Sequence, residues 1–137
     1  MPDKPQLGLA QVQAAMTAMI KEASKDPDRP LAFAIVDDHG SLLSYAHMDN
    51  CPLIPKQIAP KKAYTSAGMG VDSGAFGEML KSGGMSATDL ADPNVVGMQG
   101  GLAITHNGAI LGGIGVSGRL SQEDEDVARA GLKALNL

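Results

Sequence analysis

The sequence is poor in cysteine, in aromatic residues and in long apolar runs. Cys51 is the single cysteine among 137 residues, so no disulfide can form within the chain. Since an unpaired thiol suits a reducing compartment, we expect a cytoplasmic protein. The longest apolar runs, from Leu31 to Val36 and from Ala109 to Val116, are far shorter than the roughly 20 residues that cross a bilayer. No transmembrane helix is therefore predicted.

Positive charge is also scarce. Lys and Arg total 11 against 15 Asp and Glu, which gives a formal net charge of −4, and the one basic cluster is Lys61-Lys62. The aromatic residues are two Tyr and two Phe, with no Trp. The chain thus lacks both the electrostatic footprint and the stacking surfaces that nucleic-acid binding uses. We expect neither nucleic acid nor an anionic membrane surface as a partner.

The pattern of apolar residues and turns predicts an α+β fold. The length favours one domain over residues 1–137, and the 44% hydrophobic content is ordinary for a globular protein. Helical spacing begins at Leu9, two strands flank the turn at Gly40, and a second helix ends at Gly68 or Gly70. A further hairpin turns at Asn107-Gly108, and a last helix follows Ser121. This order predicts an antiparallel β-sheet with flanking helices.

The segment from Gly113 to Gly118 matches the G-x-G-x-x-G pattern of dinucleotide-binding proteins. That pattern works only between a strand and a helix that open a βαβ unit, with an acidic residue about 20 positions later. Too few residues remain here, so we favour a strand that another backbone, a subunit or a ligand approaches closely. A small anion site formed by Gly118, Arg119 and the start of the last helix is an alternative.

The three histidines are scattered, so we expect no structural zinc site. His39 and His106 lie at turns and are most simply solvated. His47 differs because it ends a strand just before Asp49, where the chain turns toward the helix that carries Lys62. A histidine, a carboxylate and an ammonium group at one edge of the sheet could transfer protons or bind a polar ligand.

Several segments together resemble the GlcG/HbpS-like family, which also includes the C-terminal domain of PduO-type proteins. The residues that carry this resemblance are Val36-Asp37 with Gly40, Met48-Asp49, Ile58-Ala59 with the segment from Lys62 to Thr65, Gly100-Gly101, the segment from Gly108 to Gly118, Asp124-Glu125 and Ala130-Gly131. The resemblance covers nearly the whole chain. It implies an antiparallel sheet flanked by helices, related to profilin-like architectures, that assembles into homo-oligomers and binds haem or another tetrapyrrole.

The sequence departs from the family pattern at three places, one of which is the pair Pro55 and Pro60 that interrupts the start of the second helix. His47 stands where an arginine usually precedes Met-Asp, and Leu102-Ala103 stand where Thr-Pro is common. A polar group that could face a haem is therefore missing, and a new imidazole is present. His47 is either a replacement axial ligand or part of an acid–base site for a small polar molecule.

Two functional hypotheses follow, together with a structural alternative. In the first, the chain binds haem or a related tetrapyrrole in an oligomer pocket, with His47, Gly101 and Arg119 as the binding residues. In the second, it is a cofactor-independent isomerase, lyase or hydrolase that acts on a small carboxylate in a catabolic pathway. His47 or Asp49 would then be the general base, Lys62 or Arg119 the electrophilic partner, and Gly101 a backbone contact. The alternative is a structural oligomer without chemistry of its own.

Overall fold

The structure is a computed structural model that describes residues 5–137. The helices are α1 (Leu9–Ala23), α2 (Leu53–Met69), α3 (Ser73–Ser82) and α4 (Ser121–Ala134). The strands are β1 (Ala32–Asp37), β2 (Leu42–His47), β3 (Gly101–His106) and β4 (Ala109–Ser117). A short 3₁₀ helix, Ala87–Leu90, lies in the long connection between α3 and β3. No helix within residues 5–137 is long and apolar enough to cross a membrane.

The four strands form one antiparallel sheet in the order β2-β1-β4-β3. Both predicted hairpins are present, β1–β2 and β3–β4. The second turns through Asn107 at φ 51° and Gly108 at φ 80°, the positive angles that a tight two-residue turn requires. Sequence and structure therefore agree on an α+β fold with an antiparallel sheet and flanking helices.

The side chains of β1 point alternately to the two faces of the sheet and divide the core into two layers. Phe33 and Ile35 point to one face and join the cluster that includes buried residues of α1 and α4. Ala34 and Val36 point to the other face and pack on α2 through Ala63 and Ala67. The sheet thus lies between α1 with α4 on one side and α2 on the other. Helix α2 packs closely because the residues on its side of β1 are small.

The glycines of β4 explain how closely α2 approaches the sheet. A Cβ atom added at Gly113 would lie 2.2 Å from the carbonyl oxygen of Ala63, and one at Gly115 would lie 2.0 Å from that of Ala59. No side chain fits at either position. The prediction that another backbone approaches this strand closely is confirmed, and β4 opens no βαβ unit because its neighbours are antiparallel.

Helix α2 begins at Leu53, earlier than the apolar spacing from Ile58 predicts, and Pro60 lies in its interior. Proline has no amide hydrogen, so the carbonyl of Lys56 loses its usual helical donor. The Tyr45 hydroxyl donates to that carbonyl at 3.2 Å. A side chain from β2 thus replaces the missing bond and ties the edge strand to the helix.

Candidate functional site

A cleft of about 530 Å³ opens at the end of β2, beside His47 and Asp49. Phe33 and Ile20 contribute apolar walls, and Asp28 lies on the loop between α1 and β1 that closes one side. The size is within the range of about 300–1,000 Å³ that small-molecule sites occupy. His47 is placed here because it is the last residue of β2 and pairs with Ala32 of β1.

The imidazole of His47 is held in one tautomer. Its Nδ1 lies 2.9 Å from the carbonyl oxygen of Met48. A carbonyl only accepts, so Nδ1 donates its hydrogen to it, and in the neutral imidazole the lone pair is then on Nε2. The Tyr45 ring lies edge-on to the imidazole, with ring centroids 6.2 Å apart. Nε2 of an exposed histidine is therefore available to an external ligand.

Met48 anchors this end of the strand. Its backbone amide donates to the carbonyl of Leu31 at 2.8 Å, and its sulfur accepts from the Leu31 amide at 3.2 Å. Its carbonyl also accepts from the Cys51 amide at 3.2 Å. Asn50 then takes φ 65°, which turns the chain toward α2. The carbonyl that orients His47 is thus itself fixed by the fold.

Lys62 does not share this cleft, and the prediction that it lines one pocket with His47 and Asp49 is wrong. Its side chain is 3% exposed, and Nζ donates to the Val116 carbonyl at 2.8 Å and to Asp124 Oδ2 at 3.1 Å. The helical rotation of α2 points this residue inward, under the start of α4. Because α2 follows β2 in the chain, the helix lies near the end of the strand. Its proximity does not determine the direction in which the Lys62 side chain points.

The buried pair of Lys62 and Asp124 is electrostatically costly to both groups. Burial lowers the pKa of Lys62 and raises the pKa of Asp124, because each charged form loses its water. The opposite charge of the partner counteracts each shift only in part. Asp124 Oδ1 also accepts from the Arg119 amide at 2.8 Å. Through these bonds the pair connects α2 with the end of β4 and with α4, so its role is structural.

Gly101, predicted as a haem-binding residue or as a backbone contact to a substrate, is buried against α2. Its amide donates to Ser73 Oγ at 2.9 Å. A Cβ atom added at Gly101 would lie 2.5 Å from the Lys62 carbonyl oxygen and 2.7 Å from Ser66 Oγ. The glycine permits close packing of β3 on α2, and its amide is already satisfied within the fold.

Arg119, predicted as a haem-binding residue or as an electrophilic partner, bonds to the main chain. Its Nη2 donates to the carbonyls of Ala23 at 2.9 Å and Asp26 at 2.8 Å, and its Nε donates to that of Arg29 at 2.8 Å. These carbonyls belong to the end of α1 and the following loop. Since Asp28 of that loop lines the cleft, Arg119 supports one wall of the cleft from behind.

One further polar contact could not be predicted from the sequence, because Asp92 lies in the loop between α3 and β3, where the sequence pattern is weakest. Tyr64 on α2 donates its hydroxyl to Asp92 Oδ2 at 2.7 Å. This bond raises the pKa of Tyr64 and lowers that of Asp92. Thr65 holds the same loop by accepting from the Val96 amide at 3.0 Å. Within residues 5–137, no three His, Cys, Asp or Glu side chains are grouped to hold a metal ion.

Comparison with protein families gives one match over almost the full length. The model described as "Haem degrading protein HbpS-like" matches residues 7–133. Protein GlcG of Escherichia coli is 30% identical over 107 residues, which cover 78% of each chain. The corrinoid adenosyltransferase PduO of Salmonella typhimurium is 27% identical over 124 residues, which are 89% of this chain. The chain spans only 37% of that enzyme's length.

Solved structures show the same fold. A crystal structure of a PduOC:heme complex superposes with a TM-score of 0.87 at 26% identity and covers 96% of both chains. A double mutant of HbpS from Streptomyces reticuli superposes with a TM-score of 0.87 at 28% identity, covering 98% of this chain and 90% of that one.

Proposed function

Because the chain belongs to the HbpS-like family, we propose that it binds haem or a related tetrapyrrole in the cleft beside His47. In this proposal Nε2 of His47 would hold the iron of the bound group. The observation that carries it is the bond from His47 Nδ1 to the Met48 carbonyl. Histidines that bind metals usually donate their other ring nitrogen to such an oxygen, which sets the tautomer and the ring orientation.

The residues of the cleft fit a large ligand with an apolar body. Ile20, Phe33 and Ala46 line the cleft on the side of the sheet that packs on α1, and His47, which lies with Tyr45 on the α2 side, borders it at the strand end. Asp28 and Asp49 contribute the carboxylates of the cleft. Like charges repel, so the propionates of a haem would face solvent, away from these two residues. The bound group would supply an iron centre, and this chain would supply the ligand, its orientation and the apolar contact.

The proposal includes a second copy of the chain that covers the ligand. Tyr45 bonds to the carbonyl of Lys56, which brings the end of β2 next to the first turns of α2. In those turns Leu53 is 61% exposed and Ile54 is 63% exposed. Adjacent exposed apolar residues are typical of contact surfaces. We therefore expect a homo-oligomer in which this surface and the cleft are covered together.

The enzyme hypothesis has less support. It required Lys62 or Arg119 as an electrophilic partner of His47 and Asp49. Lys62 is paired with buried Asp124, and Arg119 donates to three backbone carbonyls. Neither cation is free to polarise a substrate in the cleft. No described contact favours this hypothesis over ligand binding.

Titration with haemin tests the proposal, and the three histidines allow matched controls. We expect the wild type to give a Soret band and His47→Ala to lose it, with affinity lower by about tenfold or more. His39→Ala and His106→Ala should keep both the band and the affinity, since neither residue lines this cleft. All variants should retain the wild-type melting temperature because the three side chains are not buried.

Two results would overturn the proposal. One is a Soret band of normal intensity and affinity in His47→Ala, and the other is an equal loss of haemin affinity in all three variants.

The second copy of the chain that would cover the ligand is tested separately by light scattering. A Leu53→Asp, Ile54→Asp double variant should have a lower mass than the wild type, whereas Leu9→Asp, at an exposed leucine on α1, should not. A wild-type mass equal to one chain at micromolar concentration would refute the oligomer.

A further inference from the structure

A second cleft, of about 560 Å³, lies at the opposite end of the β1–β2 hairpin from His47. It is bounded by the end of β1, the start of β2 and the outer face of α2. Its polar lining consists of Gln57, Lys61, Tyr64 and Asn94. None of these residues belongs to the site proposed above.

Lys61 supplies an unpaired cation to this cleft. Within the described part of the chain no carboxylate lies within 4.0 Å of its ammonium group, and it makes no side-chain hydrogen bond. The side-chain amides of Gln57 and Asn94 are likewise without a hydrogen-bond partner among residues 5–137. These three polar groups line one cleft and can therefore form hydrogen bonds with a ligand or with water.

The other walls of the cleft are apolar and rigid. Val36, Leu42 and Pro60 line it, and the ring of Tyr64 lies against the turn at Gly40. A Cβ atom added at Gly40 would be 2.7 Å from Cδ2 of that ring, so the contact depends on glycine. The Tyr64 hydroxyl is fixed at its far end by Asp92. The aromatic wall is thus held at both ends.

We propose that this cleft binds a small carboxylate with an apolar body. A carboxylate would pair with the Lys61 ammonium and accept from the amides of Gln57 and Asn94, and its apolar part would lie against Leu42 and Pro60. One ammonium group neutralises a monoanion, whereas a phosphate dianion would keep an uncompensated negative charge in the cleft.

The charges around the cleft limit where such an anion can lie. Lys61 and Tyr64 are its titratable lining residues. Asp38, His39 and Asp92 line an adjoining cleft on the other side of Tyr64. The carboxylates of that neighbour would repel an anion, so the ligand's charged end belongs at Lys61.

Nuclear magnetic resonance titration with butyrate tests the proposal, with butyramide as a neutral probe of the same shape. We expect saturable shifts of residues 57–64 and 94 with butyrate and weaker binding of butyramide. Lys61→Met should weaken butyrate binding about five- to tenfold, a modest value because the ammonium is partly hydrated. Lys61→Arg should restore it. Lys56→Met, on the same helix but outside this cleft, should bind as the wild type does.

Four results would overturn the proposal. These are an absence of saturable binding, equal binding of butyramide and butyrate, unchanged binding in Lys61→Met, and tighter binding of inorganic phosphate than of butyrate. The outcome is independent of the haem proposal because Lys61→Met should leave the haemin titration unchanged, and His47→Ala should leave the butyrate titration unchanged.

Discussion

Replacing Lys62 by methionine tests how the buried ion pair holds the fold together. Methionine matches the length of the lysine stem but removes the charge and both donated bonds, to Val116 and to Asp124. The Asp124 side chain, 3% exposed, would keep its bond from the Arg119 amide but lose its counter-charge. The variant therefore leaves an uncompensated carboxylate in the core.

The expected cost of Lys62→Met is large. Removing one partner of a buried pair typically costs about 3–5 kcal/mol, a large part of the roughly 5–15 kcal/mol that stabilises a protein domain. Adding Asp124→Asn removes the second charge and keeps an oxygen that accepts from the Arg119 amide. We expect the double variant to recover most of the loss, since burial is unfavourable for both charged groups.

The loss of stability in Lys62→Met should depend on pH in a defined direction. Burial raises the pKa of Asp124 above its ordinary value of 3.8, and Lys62→Met removes the charge that counteracts this shift. The folded variant then binds a proton more tightly than the unfolded chain does. Its deficit relative to the wild type should be smallest below pH 3.8 and should grow as pH rises through the raised pKa of Asp124.

Urea unfolding of the wild type, Lys62→Met and the double variant, at several pH values, measures these differences. A loss below about 1 kcal/mol in Lys62→Met would refute the uncompensated charge. A double variant as unstable as the single one would also refute it, because the cost would then come from packing.

Four further substitutions test the fold. Gly115→Ala should destabilise by about 1–3 kcal/mol or more, because its Cβ would lie 2.0 Å from the Ala59 oxygen, whereas Gly68→Ala, in open space on α2, should stabilise by about 0.5–1 kcal/mol. Gly108→Val should cost about 1 kcal/mol or more, and an unchanged melting temperature would contradict the positive-φ turn. Arg119→Met should cost about 1–2 kcal/mol in urea unfolding, and an unchanged free energy of unfolding would show that its three bonds to the main chain do not stabilise the fold.

The fold was predictable because its signals are local. Apolar spacing from Leu9 marks α1, and the dipeptide Asn107-Gly108 specifies a tight turn by the backbone angles it permits. The start of α2 was missed for a tertiary reason. Pro60 weakens the helical pattern, and the bond from Tyr45 that compensates for it comes from another strand.

The site was less predictable because it depends on the direction of side chains. The position of His47 at a strand end followed from the sequence, and the structure puts it with Asp49 at one cleft. Its tautomer depends on the Met48 carbonyl, and that geometry cannot be read from spacing. Arginine and glycine are residue types that often bind ligands. Here Arg119 and Gly101 both make hydrogen bonds within the protein.

Adjacent lysines show how one helical step separates structure from binding. Successive residues of an α-helix point about 100° apart, so Lys61 and Lys62 cannot share a face. Lys62 faces the sheet, where a charge is tolerated only because Asp124 lies 3.1 Å away. Lys61 faces the cleft beside Tyr64, where water or a ligand can meet its charge. The sequence identifies a pair of adjacent lysines but not which of them has a structural role. That role belongs to the lysine that pairs with the buried carboxylate of Asp124 on α4, because this lysine is not available to bind a ligand.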